Sequence, residues 1–93
     1  MAKLTGNLRV TAKPASEGAR SHFEIVFVPY AGRLNTHPVT VGTYDALVNF
    51  LLDLRFSEDD ATRWASKARS QGLVLIDSFE RADTLLRDKS LLG

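Results

Sequence analysis

Two histidines, His22 and His37, are the only imidazoles in this chain, and no cysteine accompanies them. Both fall near the ends of predicted strands that a hairpin would bring together, with Glu24 available as a third ligand. Zinc and its relatives take nitrogen and carboxylate donors at defined spacings, and nothing in this spacing imposes such a site. Exposed strand-end histidines are the plainer reading, so no metal and no cofactor are expected. Asp45, Asn49 and Asp53 recur every four residues and therefore share one helix stripe. At 1.5 Å rise per residue the two carboxylates lie about 12 Å apart. That is too far for an acid and a base working on one bond, and the stripe reads as a solvated face. Asp77 follows an apolar run, but it has no partner base, and with Ser78 beside it the pair is expected to cap a helix entry. Phosphate loops, dinucleotide fingerprints, zinc-protease helices and nucleophile elbows are all missing from the sequence. The residues thus argue against an enzyme.

The basic residues offer a second chemistry. Lys3, Arg9 and Lys13 share the odd positions of the first strand with Thr5, Asn7 and Thr11, giving a polar face with donors spaced for phosphates. Arg20 and Arg33 sit in the adjoining loops and would extend the patch. Only Tyr30 could stack on a base from that face, where RNA-binding sheets usually offer two or three aromatics. Arg63 and Lys67 form a further basic edge, which Asp59, four residues before Arg63, can neutralise in part. Nucleic acid is accordingly the alternative partner, through Lys3, Arg9, Lys13, Arg20 and Arg33. Whole-chain composition does not favour it: 12 Lys and Arg face 11 Asp and Glu, for a net charge of +1. Residues 1–42 carry +3 and residues 43–93 carry −2, counting five and seven basic residues against two and nine acidic ones.

The elements that must position these groups follow from periodicity. Ninety-three residues make one domain, expected to remove about 64% of the chain's surface from water. Residues 4–12 alternate apolar and polar with period two, as a half-buried strand does. Pro14 and Gly18 then turn the chain. A second strand over residues 22–30 places Phe23, Ile25 and Phe27 on one face and Glu24, Val26, Val28 and Tyr30 on the other. A short third strand over residues 38–41 completes an antiparallel meander. At Thr43 the period changes to 3.6. Thr43 and Ser57 are predicted N-caps, with acidic residues in the first turn of each helix, and Gly72 closes the second. The second helix buries a seam of Ala61, Ala65 and Ala68 around one large anchor, Trp64. Residues 73–76 form a buried fourth strand. A last helix begins near Ser78, with Phe79, Ala82, Leu85 and Leu86 on its apolar face, and residues 89–93 are expected to fray. The fold class is α+β, in the order β-β-β-α-α-β-α.

That order leaves a surplus. Two helices cover one side of a small sheet, yet the second strand is apolar on both sides. Unless the third helix folds back as a cover, Val26, Val28 and Tyr30 are left to form a docking face, with Lys3, Arg9 and Glu24 as its polar rim. The function expected is therefore a protein-protein interaction module, a homodimer or the small subunit of a complex. The longest apolar runs are four residues, and the first six residues lack a signal-peptide core. The sequence reads as a cytosolic protein that makes no membrane contact.

Overall fold

The computed structural model describes residues 2–93. The strands are β1 (Lys3–Lys13), β2 (His22–Pro29), β3 (Val39–Val41) and β4 (Leu73–Ala82); the helices are α1 (Tyr44–Asp53), α2 (Glu58–Gln71) and α3 (Asp83–Asp88). All strand pairings are antiparallel and the spatial order is β3-β2-β1-β4. The meander closes when β4, arriving from α2, pairs with the free side of β1. No described helix is long and apolar enough to cross a membrane.

The even positions of β1 and the odd positions of β2 point to the same side. Leu8, Val10, Phe23, Ile25 and Phe27 are buried there, joined by Val74, Ile76 and Phe79 from β4. Leu47 and Leu51 of α1, Leu54 just after it, and Ala61, Ala65 and Ala68 of α2 cover that row with no solvent exposure. Both helices start where their sequences say. Thr43 Oγ1 accepts from the Ala46 N–H at 3.0 Å, and Ser57 Oγ accepts from the Asp60 N–H at 3.1 Å. Gly72 ends α2 in the left-handed region at φ 83°, and its carbonyl accepts from the Ala12 N–H at 2.8 Å. The helix terminus is thereby tied to β1 before β4 begins.

Four local readings are corrected. Trp64 packs against the core but is only half-buried, flanked by Arg63 at 5.6 Å and Lys67 at 5.3 Å, so the fully buried part of the α2 seam is the alanines. Arg63 pairs with Asp60 rather than Asp59. The chain does not enter a helix at Ser78. β4 runs on to Ala82, with Asp77 and Ser78 opposing the single residue Asn7 in a β-bulge, and Ser78 takes φ 56°. Neither Asp77 nor Ser78 is a helix cap; the bulge resets the alternation, which puts Phe79 back onto the core against Phe27 and Phe56. Finally, the C-terminal residues do not fray. Leu91 and Leu92 are buried, the His37 N–H donates to the Leu91 carbonyl at 3.0 Å, and the Gly93 N–H donates to the Asn35 carbonyl at 2.8 Å.

Two positions secure this end of the sheet. Gly6 lies where β1 meets the end of β2, and a Cβ there would fall 2.2 Å from the Val28 carbonyl oxygen. Arg81 donates through Nε to the Leu54 carbonyl at the end of α1, and its guanidinium lies 4.9 and 4.6 Å from the rings of Phe56 and Phe79. Burial lowers the Arg81 pKa from its ordinary value, and the group stays charged.

Gly6→Ala is expected to cost about 2–3 kcal/mol, because backbone cannot give way as a side chain does, and to lower Tm by roughly 10 °C or more in a thermal melt. Arg81→Ala is expected to cost about 2 kcal/mol in urea unfolding, through loss of a charge-assisted bond and of the cation over two rings.

Candidate functional site

The side of the sheet opposite the core carries no helix. α3 joins the core side: Leu86 is buried in the same cluster as Leu47 and Phe27, and Lys89 reaches Asp53 of α1 at 3.3 Å. The odd positions of β1, the even positions of β2, and Leu73 and Leu75 of β4 are thus left on an open face. Register fixes their arrangement in rows. Val26, Arg9 and Leu75 lie side by side across three strands, as do Glu24, Thr11 and Leu73. Thr40 of β3 extends the second row.

Tyr30 marks one end of this face. Its N–H donates to the Thr5 carbonyl at 3.0 Å, while its hydroxyl accepts from the Ser78 N–H at 2.8 Å. A side chain from the end of β2 is therefore bonded to the bulge of β4, two strands away. The ring remains 56% exposed, and Leu73 and Leu75 are 50% and 48% exposed. Val26 and Val28 are half-buried along β2 beside Tyr30, and Asn7, Arg9 and Thr11 of β1 stand between them and the two leucines. Asn7, on the same face, has an Oδ1 sealed from solvent with no hydrogen-bond partner among the described residues.

The charges on this face are mixed. Lys3, Arg9 and Lys13 are interleaved with Glu24, Asp77 and Glu80 on the neighbouring strands, and Thr5 Oγ1 donates to Glu80 at 2.9 Å. The remaining basic residues are not gathered beside them. Arg20 lies in the β1–β2 loop and Arg33 in the β2–β3 loop, at opposite ends of β2. His22 pairs in register with Lys13, whereas His37 lies next to the C-terminal residues. No group of three or more metal-binding side chains occurs among the described residues. Asp45 and Asn49 are exposed on α1, and Asp53 pairs with Lys89.

Sequence reasoning placed one face of residues 73–76 on this side without deciding that it is Leu73 and Leu75, and it missed Asp77 and Glu80. Leu73, Val74, Leu75 and Ile76 are all apolar, so alternation gave no parity, and the bulge at Ser78 shifts the parity of residues 79–82. It also missed a cleft of about 380 Å³ at the Lys13–His22 end of the sheet, where α1 begins and α2 ends. Comparison of the chain with known protein families, with curated proteins and with solved structures finds no match in any of the three.

Proposed function

We propose that this chain is a protein-protein interaction module that docks through its open sheet face, and that the occupant is a second copy of itself. The observation that carries the reading is the set of apolar side chains left on this bare face, Tyr30 with Val26 and Val28 along β2 and Leu73 and Leu75 along β4, on either side of the polar residues Asn7, Arg9 and Thr11 of β1. The three helices spend their apolar surface on the other side. Large exposed apolar residues held in one plane are unusual on a chain that works alone.

Two features favour self-association. The charges on the face nearly balance, with Arg9 one row from Glu24, so a two-fold pairing can set each basic group near an acidic one on the partner. A polyanion would instead meet Glu24, Asp77 and Glu80 on the same face as Lys3 and Arg9, which weighs against nucleic acid as the partner. Size sets the strength. Three long strands present a face of roughly 14 by 27 Å, so two copies bury on the order of 800 Å², half of a standard interface. The dimer is of the weak, exchanging kind.

Analytical ultracentrifugation between roughly 10 μM and 1 mM is expected to show concentration-dependent dimerisation of the wild type. Leu75→Glu and Val28→Glu should each remain monomeric over the same range with little change in Tm, because both sites face away from the core. A wild type that stays monomeric throughout ends the proposal. A filter-binding assay on a short RNA or DNA supplies the other outcome: retention at low salt that falls steeply with added salt would favour the basic residues of β1 instead.

A further inference from the structure

We infer that the cleft at the opposite end of the sheet from Tyr30 is a binding site for a small organic anion, a phosphate joined to a flat apolar ring. The inference goes beyond the docking face: the cleft shares the ends of β1 and β2 with it but lies at the Lys13–His22 end of the sheet, away from Tyr30, and is completed by α1 and α2. Its walls are the last residues of β1, the first of β2, the entry to α1 and Arg69 from the last turn of α2.

Charge comes first. Lys13, His22 and Arg69 line the cleft, and no acidic residue does. Among the described residues the ion pairs are Arg63 with Asp60 and Lys89 with Asp53, so neither Lys13 nor Arg69 is neutralised by a carboxylate. Arg69 is nonetheless held in place. Its guanidinium lies 4.0 Å from the Tyr44 ring, and the Tyr44 hydroxyl is hydrogen-bonded to Ser66 Oγ at 2.9 Å. A fixed guanidinium presents a planar set of donors of the kind that grips a phosphate by two bonds. His22 is anchored as well, with Nδ1 2.9 Å from the Arg20 carbonyl, which leaves Nε2 as its free ring nitrogen.

Volume decides what the anion must carry. The cleft measures about 380 Å³, well beyond what a bare phosphate fills, so an inorganic anion alone would leave most of it to solvent. Clefts of this size hold small organic ligands. Ala12, Pro14, Phe23 and Tyr44 supply apolar wall on which a ring can lie while its phosphate meets Lys13 and Arg69.

The test uses phenyl phosphate and inorganic phosphate as probes, followed by amide chemical shifts and by calorimetry on the intact chain. Phenyl phosphate should saturate with shifts at Lys13, His22, Thr43, Tyr44 and Arg69, and should bind at least about tenfold more tightly than inorganic phosphate. Lys13→Gln and Arg69→Gln should each weaken it by about tenfold, with Tm as the control for folding. Lys13 is exposed on the strand face, so its variant keeps the test open if Arg69→Gln fails to fold. Equal affinity for the two probes, absence of saturation, or affinity unchanged in both folded variants would overturn the inference. Binding that persists in the Leu75→Glu monomer separates this site from the docking face.

Discussion

The inward row of the sheet, Leu8 and Val10 on β1 with Phe23, Ile25 and Phe27 on β2, has to be covered, and a chain of this length has one layer of helix with which to do it. α1 contributes a broad leucine surface, α2 a narrow alanine seam that lets it approach closely, and α3 with Leu91 and Leu92 fills the remaining end. Every large apolar side chain of the helices that is fully buried faces this one row. The other side of the sheet is bare because nothing remains to cover it. Its exposed leucines, its mixed charges and its availability to a partner all descend from that single allocation.

Completion of the sheet depends on β4, and β4 is held by contacts that are distant in sequence. Gly6 lets β1 pass close to the Val28 carbonyl, at the position where β1 also receives Phe79. The bulge at Asp77 and Ser78 absorbs the extra residue and returns Phe79 to the core. Arg81 then joins the strand to the end of α1 across two aromatic rings. Tyr30 engages the same bulge from the opposite face, through the Ser78 N–H. A single irregularity in one edge strand thus fixes both the aromatic corner of the core and the aromatic end of the open face. An edge strand interrupted in this way is also a poor template for further pairing along its free side.

Local signals carried most of the fold into the sequence. The alternation of β1, the caps at Thr43 and Ser57 and the glycine stop at Gly72 are each legible because the physics is short-range: a side chain bonding three residues ahead, or a glycine that alone tolerates a left-handed turn. The open face was legible in part, through Val26, Val28 and Tyr30, because β2 is apolar on both parities. Its other half was not, since four consecutive apolar residues in β4 name no side. The reading of a helix at Ser78 failed because serine suits an N-cap and a bulge equally well, and only pairing with β1 selects between them.

Composition and periodicity by themselves determined an α+β chain with three meandering strands, two capped helices and an apolar surplus on the second strand, for each of these is settled within a few residues by hydrogen bonds and side-chain spacing. Tertiary structure alone decided that α3 and the C-terminal leucines fold onto the covered side, that Leu73 and Leu75 join Tyr30 on the bare one, and that Lys13, His22 and Arg69 converge around a cleft. Those outcomes depend on which strand edges meet and in what register. Register is an agreement between segments dozens of residues apart, and no local pattern encodes it.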